Sequence, residues 1–60
     1  MWYIIYLPNA VVACHTNDDG EITRTAPLLR RFVGQDITAL ESWARKHGGR
    51  VEKMEGNPYI

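Results

Sequence analysis

Apolar and β-branched residues alternate with turn residues through the first third of the chain. The run Trp2–Leu7 is aromatic and β-branched, a composition that favours strands. A Pro-Asn turn separates it from a second β-prone run, Ala10–Thr16, because Pro presets φ and Asn tolerates left-handed geometry. An Asp-Gly dipeptide, typical of hairpins, then leads into the alternating residues 21–25. The pattern predicts an antiparallel meander of three strands.

A helical pattern replaces this alternation after Pro27. Apolar side chains on one side of a helical wheel predict one or two helical turns before Gly34. These side chains are Leu28, Leu29, Phe32 and Val33.

A longer helix is predicted over residues 38–47, where Thr38 and Glu41 have the spacing of a capping box. Its apolar stripe comprises Leu40, Trp43, Ala44 and His47. Trp43 is the largest of these and lies mid-stripe, so we expect it to be the central core residue of the helix. Two glycines end the helix, and residues 50–55 predict a last short strand. The order β-β-β-α-β indicates an α+β fold, a three- to four-stranded antiparallel sheet with one main helix on one face.

Length and composition limit the kinds of protein that this chain can be. Its 60 residues predict a single domain, 1–60, with a small core. A single cysteine excludes an intrachain disulfide framework and suits a reducing cytoplasm. No apolar stretch approaches the roughly 20 residues of a membrane span, so we expect no membrane association.

Candidate chemistry is sparse. Cys14 and His15 are adjacent, but neighbouring strand residues point to opposite faces, so we interpret them as a core cysteine and a surface histidine. One Cys and two His give no zinc-type spacing, and Leu28 stands where a calcium loop starting at Asn17 needs Glu. The sequence therefore predicts no catalytic residue, metal, cofactor or small-molecule substrate, and no enzyme.

The net charge is zero, but all seven basic residues lie from Arg24 to Lys53. The candidate nucleic-acid contacts in this segment are Arg30, Arg31, Arg45, Lys46 and Arg50. Residues 28–33 and 38–47 also resemble a helix-turn-helix, although Arg30 replaces the small residue usual between its helices. A small nucleic-acid-binding regulator is therefore the alternative function, with weak and non-specific binding expected.

The first strand is apolar on both faces, although one helix covers only one face of a sheet. Because Trp and Tyr are enriched at protein contacts, we assign Trp2, Ile4 and Tyr6 to an interface. The opposite set, which is Tyr3, Ile5 and Leu7, is assigned to the core. We expect a homodimer or a larger protein partner. The sequence thus favours a small non-enzymatic interaction protein, a dimeric regulator or inhibitor of the kind that phages and plasmids use as accessory proteins.

Overall fold

The structure, a computed structural model, describes residues 1–55. The apolar residues Tyr59 and Ile60 at the end of the chain lie outside the described residues. The elements in chain order are β1 (Trp2–Leu7), β2 (Ala10–Thr16), β3 (Ile22–Thr25), a 3-10 helix (Pro27–Phe32), α1 (Ile37–Lys46) and β4 (Arg50–Met54). They confirm the predicted small α+β fold with one main helix. No helix within the described part of the chain is long and apolar enough to cross a membrane.

The four strands form one antiparallel sheet in the order β3-β2-β1-β4. The β1–β2 register places Leu7 opposite Ala10, so that only Pro8 and Asn9 connect the two strands. β1 also pairs with β4, which puts Ile5 beside Val51. β1 therefore lies between β2 and β4, and its side chains alternate between the two faces of the sheet.

Both helical segments pack on one face of the sheet, which we call the inner face. The fully buried strand residues Ile5, Cys14 and Ile22 contribute to the core there. The helical segments add Leu29, Phe32, Ile37, Leu40 and Ala44 to the same cluster. Tyr3 and Leu7 pack against it at the margin, so the assignment of Tyr3, Ile5 and Leu7 to the core is confirmed.

The first helical segment differs from the prediction in its period. Only Leu29 and Phe32 are buried, whereas Leu28 is 61% exposed and Val33 is 47% exposed. A 3-10 helix repeats every three residues, so only residues three apart share its buried face. The prediction of an apolar face of four residues, which assumes an α-helical period, is therefore wrong for this segment.

The main helix begins earlier than its predicted capping box. Asp36 is the N-cap, and its Oδ1 accepts hydrogen bonds from the Thr38 backbone N–H at 2.9 Å and the Thr38 hydroxyl at 2.8 Å. These two bonds favour the carboxylate, so they lower the pKa of Asp36 below its usual value. The earlier start brings Ile37 into the core, which a helix beginning at Thr38 would leave outside its first turn.

The end of α1 is fixed by backbone geometry. The Gly48 N–H donates to the Arg45 carbonyl at 3.2 Å and the Gly49 N–H to the Ala44 carbonyl at 2.8 Å, a Schellman motif. Gly48 has the positive φ of 79° that this motif requires. Gly49 lies so close to β1 that a Cβ atom there would overlap the Tyr6 carbonyl oxygen. The turn from α1 to β4 therefore rests directly on the central strand.

Candidate interaction surface

The face of the sheet opposite the helices, which we call the outer face, carries three rows of side chains across β2, β1 and β4, and Arg24 of β3 lies beside His15 at its edge. Register places the members of each row side by side. The rows are His15, Trp2 and Met54; Ala13, Ile4 and Glu52; and Val11, Tyr6 and Arg50. The predicted interface residues Trp2, Ile4 and Tyr6 thus form one line along the central strand.

The middle of the outer face is apolar. Ala13 is only 7% exposed although it does not belong to the core cluster, which indicates that larger neighbours on this face shield it. Val11 is 63% exposed, while Trp2, Ile4 and Tyr6 are partly buried. No helix or strand of the described residues covers this face, since α1 and the 3-10 helix both pack on the other one.

Polar groups border this apolar middle on both sides. On the β3 side, the His15 ring meets the Trp2 ring edge-on with centroids 4.9 Å apart. The His15 Nδ1 and the Thr23 hydroxyl lie 2.8 Å apart, which anchors the imidazole. On the β4 side, the Arg50 guanidinium lies over the Tyr6 ring at 4.6 Å and its Nε is 3.2 Å from a Glu52 carboxylate oxygen. An apolar centre with a polar rim is the usual composition of a protein contact.

Arg50 is therefore on a different surface from the other predicted nucleic-acid contacts. Arg30 and Arg31 lie in the last turn of the 3-10 helix, and Arg45 and Lys46 lie in the last turn of α1. Sequence proximity groups the five residues together, but β4 turns Arg50 towards the outer face. Four of them remain on the helical side of the molecule.

Trp43 is at the margin of the core and not at its centre, which corrects the sequence prediction. The fully buried positions of α1 are Leu40 and Ala44, whereas Trp43 is partly buried. The centroid of its ring is 5.5 Å from that of Phe32, 4.6 Å from that of His47 and 5.3 Å from the Arg31 guanidinium carbon. A large ring suits this margin because it can bridge α1 and the 3-10 helix while one edge stays in solvent.

A groove that the sequence did not indicate begins at this ring. We call it the Trp43 groove; its volume is about 280 Å³ and its lining is Leu7, Pro8, Asn9, Ala10, Leu28, Trp43 and His47. These residues come from three separate parts of the chain, which are the β1–β2 turn, the 3-10 helix and α1, so only the topology brings them together. The sequence predicts Leu28 on the buried side of a two-turn helix, so the 61% exposure that places it at the groove is seen only in the structure.

Cys14 and His15 do not form a reactive pair. Cys14 is completely buried on the inner face, and burial raises the pKa of its thiol to about 11. His15 faces outward, as predicted, because consecutive strand residues point to opposite sides. Within residues 1–55, no three His, Cys, Asp or Glu side chains are grouped so as to hold a metal ion.

Comparison of the chain with models of protein families, with curated proteins and with solved structures found no match.

Proposed function

We propose that this protein acts by protein–protein contact and that its outer face joins two copies in a homodimer. The observation that carries the proposal is the apolar middle of the outer face, Ile4 with Ala13 and Val11, which no helix or strand of residues 1–55 covers. Burial of such an apolar sheet face against a partner stabilises a small domain. A regulator or inhibitor of this size would act through such a contact.

A second copy is the partner that the charges and the symmetry favour. The net charge is zero, and the rim carries both signs, with Arg24 and Arg50 against Glu52, so each copy presents a group of either sign to the other. A two-fold axis lets one self-complementary patch serve both subunits, which is the commonest arrangement for one kind of chain.

The size of the face sets the expected affinity. Strands about 4.8 Å apart with a rise of about 3.3 Å per residue give three strands of six residues a projected area of roughly 300 Å². Side chains enlarge the contact, but it stays at the low end of specific interfaces. We therefore expect a dimer with a micromolar dissociation constant.

Sedimentation equilibrium tests the proposal with three variants. The parent protein should dimerise at micromolar concentration, and Ile4→Lys should give a folded monomer because it places a charge in the middle of the contact. Val11→Lys is a second variant on the same face whose exposed position tolerates lysine in the monomer. Val33→Lys is the control, since Val33 is also an exposed valine but lies at the end of the 3-10 helix.

Two results would contradict this function. A parent protein that stays monomeric well above micromolar concentration has no such dimer. A Val11→Lys variant that dimerises as tightly as Val33→Lys places the contact on another surface.

A further inference from the structure

The Trp43 groove lies away from the proposed dimer contact. Leu7 and Ala10 belong to its lining, and both are on the inner face, at the end of the sheet where the Pro8-Asn9 turn connects β1 and β2. Leu28 stands at the groove with 61% of its surface exposed. A partner can therefore enter the groove whether or not the outer face is occupied.

The groove is too small for a typical cofactor. Its volume of about 280 Å³ falls just below the range of about 300–1,000 Å³ for small-molecule sites. Its lining is mainly aliphatic and aromatic, with Leu7, Leu28 and Trp43 as the largest apolar side chains. These properties suit one or two apolar side chains of a peptide.

The charges around the groove have one sign. Among residues 1–55 no acid lines it, and the Arg31 guanidinium lies against the Trp43 ring. Lys46 lies in the last turn of α1, three residues after Trp43 and so on the same side of the helix, and it directly precedes the lining residue His47. The acid on α1 is Glu41, which is two residues from Trp43 and so points to a different side of the helix. A ligand with negative charge beside its apolar anchor complements this arrangement.

We propose that the Trp43 groove binds a segment of a protein partner in which an apolar side chain is flanked by Asp or Glu. The apolar anchor lies between Leu28 and Trp43, and the carboxylates lie near Arg31 and Lys46. This is a second interaction surface, separate from the dimer contact, and it gives the protein a means to bind a different protein.

Two other occupants fit the groove less well. A nucleic-acid base would need a face of the Trp43 ring for stacking, but Arg31, Phe32 and His47 already contact that ring, so a base would have to displace one of them. The acidic β2–β3 turn of a second copy, residues 17–20, has the right charge but no apolar side chain. It would leave the groove empty.

Selection from a library of random peptides displayed on phage tests the proposal without knowledge of the natural partner. The bait is the full chain, and peptides that also bind the Leu28→Asp variant are removed. This substitution takes away one apolar side chain of the groove and adds a charge that repels acidic peptides. Val33→Asp is the matched control, because Val33 is also apolar and exposed, lies next to the same 3-10 helix and does not line the groove.

The selected peptides should contain an aromatic or large aliphatic residue beside Asp or Glu. Binding of one labelled peptide, followed by fluorescence anisotropy, should weaken at least about tenfold in Leu28→Asp, as for a central contact residue. It should change less than about twofold in Val33→Asp, as for a surface change outside the contact. Circular dichroism and sedimentation should show that both variants are folded and dimerise like the parent.

Three results would overturn the proposal. The first is a selection that yields no peptide whose binding depends on Leu28. The second is enrichment of peptides without acidic residues. The third is a labelled single-stranded DNA that binds the parent and Val33→Asp but not Leu28→Asp, which would make the groove a nucleic-acid site. None of these depends on the dimer, so failure here is distinguishable from failure of the proposed outer-face contact.

Discussion

The two faces of the central strand carry similar side chains and have different surroundings. Ile4 and Ile5 are the same residue type and adjacent in sequence, yet Ile5 is fully buried under the helices and Ile4 is only partly buried on the outer face. The neighbouring strand repeats the contrast with Cys14, buried, and His15, which is partly exposed. Burial in this fold therefore depends on which face α1 covers and not on how apolar each face is.

The largest expected effect separates the two isoleucines. Ile5→Ala should remove about 2–5 kcal/mol of stability because it opens a cavity in the core. A core of this size supplies only about 3–5 kcal/mol of stability. Circular dichroism should therefore show that most molecules of this variant are unfolded. Ile4→Ala should stay folded and lower the dimer affinity instead. Equal losses of stability in the two variants, with no change in assembly, would mean that both faces are covered within one chain.

The two tryptophans give a second comparison across the sheet. Replacing a completely buried Trp by Ala costs about 3–5 kcal/mol of stability. Because Trp43 is only partly buried, we expect Trp43→Ala to lower the free energy of unfolding, measured in urea, by about 2 kcal/mol. Trp2→Ala should change the stability of the monomer less and should weaken the dimer. A Trp43→Ala chain that is wholly unfolded would restore the role of Trp43 as the central core residue.

The burial of Cys14 on the inner face makes the stability of the protein depend on pH. In the folded protein burial raises the thiol pKa from 9.0 to about 11, so between these values the unfolded chain loses its proton while the folded chain keeps it. The contribution of the thiol to the free energy of unfolding is therefore fully present below about pH 9 and is lost as the pH rises towards 11. By pH 10 the loss should be about 1 kcal/mol. Urea unfolding at pH 7 and pH 10 measures it, and the thiol contribution should be absent from Cys14→Ala; an identical pH effect in that variant would assign it to other groups.

The smallest effect concerns nucleic acid on the helical side. Any binding of duplex DNA should rest on phosphate contacts of residues such as Arg45 and Lys46, and should fade between about 50 and 200 mM salt. The double variant Arg45→Ala, Lys46→Ala should reduce this weak binding without changing the dimer. Tight, sequence-selective binding at the higher salt concentration would reverse the ranking of the two functions.

The hydrophobic pattern predicts much of this fold because its strands and turns are locally specified. β-branched runs, a Pro-Asn turn and an Asp-Gly turn define the meander, and the stripe through Leu40 and Ala44 defines α1. The pattern does not locate the start of that helix, because both Asp36 and Thr38 are good N-caps and the burial of Ile37 selects between them. The 3-10 helix escapes prediction for a similar reason, since one short apolar run fits more than one helical period.

The two candidate surfaces differ in how far the sequence reveals them. The outer face follows from alternation along one strand, so the sequence alone is enough to group Trp2, Ile4 and Tyr6. The Trp43 groove cannot be found in this way, because Pro8, Leu28 and His47 meet only when the hairpin, the 3-10 helix and α1 pack together. Arg50 shows the opposite problem. It is close in sequence to Arg45 and Lys46, and the sequence groups it with them, but it lies on the other face of the sheet.

Gly49 has a consequence for how the protein can be altered. Turns between elements usually tolerate insertions and substitutions best. Here even a methyl group at position 49 would collide with the backbone of β1, so this turn is among the places least open to change. Asp18 and Asp19, at the tip of the β2–β3 hairpin, are exposed and lie at the other end of the sheet. A fluorescent label or grafted loop therefore belongs at that tip, where it leaves β4 attached to the sheet.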